Sequence, residues 1–152
     1  MRAPHVLIVE ARFYEDLADE LVRGASERLA AAACTFERVS VPGAFEIPAA
    51  IAMFDRAART VQGATRFDGY VALGCVIRGE TTHYDYVCGE SARGLQDLAV
   101  REGLAIGYGI LTVENGQQAW ARARVTEKNK GGDAAAACLA MIDLKHKLGL
   151  AS

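Results

Sequence analysis

The 152-residue sequence predicts an α/β protein whose parallel sheet carries helices on both faces. Two observations predict it. Short apolar runs alternate along the chain with longer segments of helical period. The segments between runs are long enough for crossover connections, so strand, helix, strand implies right-handed βαβ units instead of hairpins. No repeat, linker or low-complexity tract interrupts the pattern, so one domain over residues 1–152 is expected.

The elements follow in order. "HVLIVEARF" (5–13) is an apolar run ending in polar residues and reads as a buried strand. In 14–32, Leu17, Leu21, Ala25 and Leu29 recur every fourth position with Val22 beside them, and acids fill the first turn, which is one helical stripe. "TFERVSV" (35–41) alternates as a strand does. "FEIPAAIAMFDRAARTV" (45–61) reads as a helix, with Pro48 tolerable only in its first turn. "DGYVALGCVI" (68–77) is a third strand. Residues 82–102 form a helix that turns Val87, Leu95, Leu98 and Ala99 to the sheet, and "LAIGYGILTV" (104–113) is the fourth strand. Helical stretches over 115–125 and 130–149 close the chain.

Composition narrows the function class. Half the residues (51%) are hydrophobic and 24% are charged, as in ordinary globular proteins, and the net charge of −2 offers no broad basic face for nucleic acid. The N-terminus turns polar too early for a secretory signal, and no apolar run is long enough to span a membrane. Cys34, Cys75, Cys88 and Cys138 form no C-x-x-C pair and have no histidine at ligand spacing. They read as reduced thiols in a cytoplasmic protein, and no metal site is expected.

Ligands of such sheets bind beyond the carboxyl ends of the strands. The informative residues are therefore Arg12 and Phe13, then Pro42 to Glu46, then Arg78 to His83, then Thr112 to Asn115. After Ile77 the chain must turn sharply into a helix. Gly79 allows the turn, Thr81 or Thr82 can cap the helix, and Asp85 stands three residues past Thr82 in a loose capping-box arrangement. The first amides of that helix can hold a phosphate. On spacing alone, an ordinary capped helix without a ligand is the simpler reading. His83 lies beside this turn, where a neutral imidazole can accept a proton and pass it on. His5 and His146 read as structural or exposed. In "VPGAFEIP" (41–48), Phe45 offers a flat ring and Glu46 a carboxylate, which suits a heteroaromatic ligand bearing polyol hydroxyls. A core Phe and a Glu in the first helical turn fit the same residues.

Taken together, "RF" (12–13), "VPGAFEIP" (41–48), "GCVIRGETTHYDYVC" (74–88), "GILTVEN" (109–115) and "KNKGG" (128–132) resemble the 6,7-dimethyl-8-ribityllumazine synthase family in order and spacing. The resemblance implies a flavodoxin-like three-layer α/β/α sandwich on a four-stranded parallel sheet. It implies condensation of 5-amino-6-(D-ribitylamino)uracil with 3,4-dihydroxy-2-butanone 4-phosphate, the penultimate step of riboflavin biosynthesis. No metal or organic cofactor is implied. Residue by residue, Phe13 matches the position that stacks on the pyrimidinedione. Ala44, Phe45 and Glu46 match the segment that holds the ribitylaminouracil, and Cys75, Val76 and Ile77 the strand end beside its ring. Glu80 and Thr81 match phosphate-binding positions, and His83 the proton-transfer residue. Tyr108, Arg122 and Lys130 match positions that a neighbour supplies in a homopentamer, the last two near the phosphate.

Two departures from the family pattern carry expectations. The chain begins only a few residues before its first strand, so pairing of an N-terminal segment with a neighbour's sheet is not expected. "ARVTEKN" between Arg122 and Lys130 lacks the glycines of many shell-forming members, so a free pentamer is expected. Two other readings compete. A module of this fold that binds lumazine or flavin without turnover would need neither His83 nor Arg122. A flavodoxin-like electron carrier would need a phosphate cradle after the first strand, where "EARFYEDL" offers none.

Overall fold

The computed structural model describes residues 2–150. The domain span expected from sequence also takes in residues 1 and 151–152, which lie outside the described residues. In chain order the elements are β1 (His5–Ala11), α1 (Glu15–Ala31), β2 (Thr35–Val41), a 3-10 turn (Ala44–Glu46) leading into α2 (Ile47–Thr60), β3 (Gly69–Ile77), α3 (His83–Glu102), β4 (Ile106–Val113), α4 (Gly116–Ala123) and α5 (Lys130–Lys147).

The strands form one parallel sheet in the order β2-β1-β3-β4. Alternation along β1 divides the core. Val6 and Ile8 pack with the stripe of α1 and with Ala134, Ala135 and Cys138 of α5. Leu7, Val9 and Ala11 pack with Ile47 and Ile51 of α2 and with Val87 and Leu95 of α3. Helices therefore cover both faces, and the three-layer α/β/α sandwich expected from sequence is the observed architecture. The helical stripe of α1 is buried as its period predicts, at Leu17, Leu21, Val22, Ala25 and Leu29. On α3, Val87 and Leu95 are buried, Leu98 packs at the margin of the core, and Ala99 is half-buried.

Close approach explains two glycines. A Cβ at Gly107 on β4 would overlap the Ala134 carbonyl of α5, and one at Gly131 would overlap the Leu21 carbonyl of α1. The "GG" after Lys130 thus seats the start of α5 directly on α1.

The boundaries differ from expectation where local chemistry intervenes. β1 stops at Ala11, two residues early, because Arg12 turns to bond Glu10 and Asp19. α2 starts at Ile47 with Pro48 in its first turn, and the preceding residues wind as a 3-10 turn. Thr82 occupies the cap position of α3 but makes no side-chain cap bond. The Thr81 hydroxyl accepts from the His83 amide instead, at 3.3 Å. No capping box forms between Thr82 and Asp85, because the Asp85 carboxylate turns 3.5 Å from Arg78.

Register creates the crevice. β1 pairs with β3 only as far as Glu10↔Leu73, whereas β3 continues beside β4 to Ile77↔Val113. The last residues of β3 therefore have a strand on one side only. The chain also steps outward from β1 to β2 and returns across to β3, which makes this gap the topological switch point of the sheet.

Candidate active site

At the switch point lies a groove of about 500 Å³, a size that suits a ligand of one or two rings with substituents. Its walls come from four places in the sequence. Ala11, Phe13 and Tyr14 follow β1, and residues 43–46 follow β2. Cys75, Val76 and Ile77 end β3, and His83 and Val87 belong to the first turns of α3. The walls are mostly apolar, and polar groups enter at Glu46 and His83.

Two rings stand open at its rim. Phe13 is 74% exposed and Phe45 53% exposed, against 6% for Ala44 between the β2 end and Phe45. An aromatic residue left this open gains little from folding, whereas stacking on a flat ligand would cover it. Phe13 meets Tyr14 edge-on with centroids 4.9 Å apart. The Glu46 carboxylate lies along Gly43, where an added Cβ would stand 3.3 Å from its Oε1. Glu46 has no shielding partner in the groove and is exposed, so its oxygens are available to hydroxyl donors.

Cys75 lies two residues before the end of β3, partly buried and near Cys88. Burial, and secondarily Cys88, pushes its thiol up to about 11. A neutral thiol at neutral pH is a small apolar wall and a poor nucleophile.

The turn between β3 and α3 is braced. Arg78 donates to Glu114 at 2.6 Å, approaches Asp85 at 3.5 Å, and lies 4.3 Å above the Tyr84 ring. These contacts tie residues 78–83 to the start of the β4–α4 loop. The next helix, α4, is capped by Asn115, whose side chain accepts from Gln118 N at 2.8 Å.

Eight of the residues singled out in the sequence meet in this groove: Phe13, Ala44, Phe45, Glu46, Cys75, Val76, Ile77 and His83. Five do not line it. Glu80 and Thr81 sit exposed in the turn just before His83. Tyr108 lies mid-strand on β4, opposite Ala72, and is 42% exposed. Arg122, on α4, folds back to donate to the Gln118 carbonyl at 3.1 Å. Lys130 starts α5, 3.6 Å from Asp133. Sequence reading missed Ala11, Tyr14 and Val87. Val87 was within reach, since it follows His83 by four residues and so shares its helix face. Ala11 and Tyr14 flank the "RF" pair but carry no signal of their own. Among the described residues, no group of three or more His, Cys, Asp or Glu is placed to hold a metal ion, and no helix is long and apolar enough to cross a membrane.

Comparison with known proteins finds similarity over nearly the whole chain. The family model for 6,7-dimethyl-8-ribityllumazine synthase matches residues 3–146. A protein of Rhizobium meliloti named 6,7-dimethyl-8-ribityllumazine synthase 1 is 62% identical, over 95% of this chain and 94% of its own length. Counterparts named 6,7-dimethyl-8-ribityllumazine synthase from Agrobacterium fabrum and Bartonella tribocorum are 60% and 55% identical, over 98% and 97% of this chain and 99% and 94% of their own.

Proposed function

The chain belongs to the 6,7-dimethyl-8-ribityllumazine synthase family, and on that premise we propose that the groove at the switch point is where its condensation takes place. The reaction joins 5-amino-6-(D-ribitylamino)uracil to 3,4-dihydroxy-2-butanone 4-phosphate and releases the lumazine, inorganic phosphate and two waters. The 5-amino group attacks the ketone and a first water leaves as the Schiff base forms. Phosphate then departs by elimination, the four-carbon chain tautomerises to a carbonyl, and the ribitylamino nitrogen closes the ring with loss of the second water. Each step moves protons, and one expels an anion.

The observation that carries the reading is the meeting, in one groove, of an open ring, a carboxylate and a histidine drawn from the segments that follow β1, β2 and β3. Phe13 stacks on the pyrimidinedione and the end of β3, Cys75 to Ile77, forms the wall beside it. Ala44, Phe45 and Glu46 hold the ribityl arm, with Glu46 accepting from its hydroxyls. His83 takes a proton from the attacking amine side and returns it to the departing water. Glu80 and Thr81 frame the phosphate at the start of α3, where backbone amides and the helix dipole favour an anion. Holding both reactants together supplies much of the acceleration, because both are already reactive.

We further propose a homopentamer whose neighbouring subunits complete each site. Tyr108, Arg122 and Lys130 do not line the groove of their own chain, which fits residues used by an adjacent one. The joint between α4 and α5 supports an assembly that stops at five subunits. Val125 N donates to Glu20 at 2.9 Å, Lys128 N to Ala121 O at 3.1 Å and Asn129 N to Arg124 O at 3.0 Å. A joint bonded this fully cannot easily rebend to pack against a second ring. The absence of any C-x-x-C or metal-spaced cysteines, with all four thiols free, favours a cytoplasmic enzyme. Mixing the two substrates with the protein and following lumazine absorbance tests the activity. Absorbance that rises no faster than in a protein-free mixture would overturn it.

A further inference from the structure

Among the described residues Glu10 and Asp68 are the buried carboxylates, and Glu10, 2% exposed near the end of β1, is the one that lies within a strand. It faces away from the groove, on the same face of β1 as Val6 and Ile8, while Val9 and Ala11 face the other way. Two arginines hold it. Arg12 Nη1 donates to Oε1 at 2.6 Å, and Arg38 of β2 donates through Nε to Oε2 at 2.7 Å and through Nη2 to Oε1 at 3.2 Å. Arg12 reaches on to the Asp19 carboxylate on α1.

Pairing a buried carboxylate, here Glu10 under partly exposed guanidinium groups, seldom adds net stability over apolar side chains of the same volume. Its worth is geometric, since it fixes where its members point. Here one member adjoins the groove. The alternation of β1 continues past its end, so Ala11 and Phe13 face the groove while Glu10 and Arg12 face the opposite side. Phe13 itself has little to hold it, being 74% exposed with an edge contact to Tyr14. A ring so open holds its place through its backbone, and the residue before it is clamped at both ends of a guanidinium.

We propose that Glu10, Arg12 and Asp19 form a positioning clamp that presets Phe13 as the stacking platform of the groove, Arg12 being its central residue. The inference rests on Phe13 stacking on the pyrimidinedione. Without the clamp, binding must first order residues 12–14, which weakens affinity without touching any reacting atom. The effect therefore falls on the ribitylaminouracil and spares the phosphorylated ketone.

Arg38 provides the control, because it holds the same carboxylate but does not adjoin Phe13. Arg12→Met should raise KM for the ribitylaminouracil and Kd for the product lumazine about tenfold, the cost of ordering one or two loop side chains. KM for the ketone should stay within about twofold, and kcat nearly so. Arg38→Met should lower the thermal midpoint comparably and leave both KM values within about twofold. Arg12→Lys, which can keep one bond, should recover part of the loss. Should Arg12→Met not fold, the exposed Asp19→Asn is read in its place and should raise the same KM about threefold. Equal changes of the ribitylaminouracil KM in Arg12→Met and Arg38→Met, or no change of it in either, would overturn the clamp. Phe13→Ala is measured beside them. If it weakens uracil binding while Arg12→Met does not, the clamp fails and the stacking stands. If Phe13→Ala is silent, the stacking reading fails and the clamp with it.

Discussion

Two regions of this chain carry the residues we propose for one reaction, and they are built differently. The groove between β1 and β3 collects eight of them on one set of loops, with rings open at the rim and a braced turn leading to His83. The second set, Tyr108, Arg122 and Lys130, is dispersed over β4, α4 and the start of α5. In the first region the side chains converge on a cavity. In the second they lie along their own elements, Arg122 on the Gln118 carbonyl and Lys130 beside Asp133. The contrast teaches that one chain by itself assembles an open-ringed groove but brings neither Arg122 nor Lys130 to it, which is what the proposed shared site requires. A lone subunit would bind the uracil better than it could use the ketone.

The contrast can be broken most forcefully at the arginine. Arg122→Ala should lower kcat/KM for the phosphorylated ketone by about 10²–10³, the usual range for losing one member of a shielded charge pair. KM for the ribitylaminouracil should move less than about threefold. Equal damage to both substrates in steady-state kinetics would make Arg122 an interface support with no phosphate role.

His83→Ala should come next. Proton transfer by a placed side chain contributes ~10²–10⁴-fold, and the low end or below is expected here because water can relay protons between reactive partners. Binding of the product lumazine should persist. A kcat equal to that of the unsubstituted enzyme across pH 6 to 8 would remove His83 from the mechanism.

Glu46→Gln sharpens the ring side. It keeps the shape but weakens the acceptor, so KM for the ribitylaminouracil should rise about tenfold, in line with loss of charge in a hydrogen bond. An unchanged KM, with a substrate lacking the ribityl arm bound as well as before, would take Glu46 off the polyol. Cys75 should give the smallest effect. With its thiol raised to about 11 by burial, it stays protonated through neutral pH and thiolate appears only as pH climbs toward that value. Alkylation of Cys75, followed by mass spectrometry, should be negligible at pH 7.5 and accelerate above pH 9. Rapid labelling at neutral pH would contradict the buried wall described here.

Much of this was legible in the sequence. The stripe Leu17, Leu21, Ala25, Leu29 and the four apolar runs gave the layers, because burial imposes a period that composition cannot hide. The parallel-sheet rule alone points to the segments after all four strands; the groove forms among the first three, and Thr112 to Asn115 do not line it. What the sequence withheld depends on three-dimensional competition. "TTHYD" reads as a capping box, yet Arg78 takes the Asp85 carboxylate and Thr81 serves the His83 amide. The Glu10 cluster was invisible because its members come from β1, α1 and β2, and an acid inside an apolar run carries no hint of which cations will meet it.

The shared site is tested most directly by complementation between two disabled chains. One carries Phe13→Ala with His83→Ala, which disables the groove; the other carries Arg122→Ala, which disables the cation. Unfolded, mixed in equal amounts and refolded together, they should regain activity that neither has alone. In a ring, an intact site arises wherever a chain with a sound groove sits beside one with a sound arginine, so about a quarter of sites should recover. Recovery near a quarter of the activity of refolded unsubstituted enzyme is the predicted result. Activity no greater than the mean of the two variants refolded separately, in a mixture shown to form hybrid rings, would mean that each chain works with its own arginine and would contradict the account.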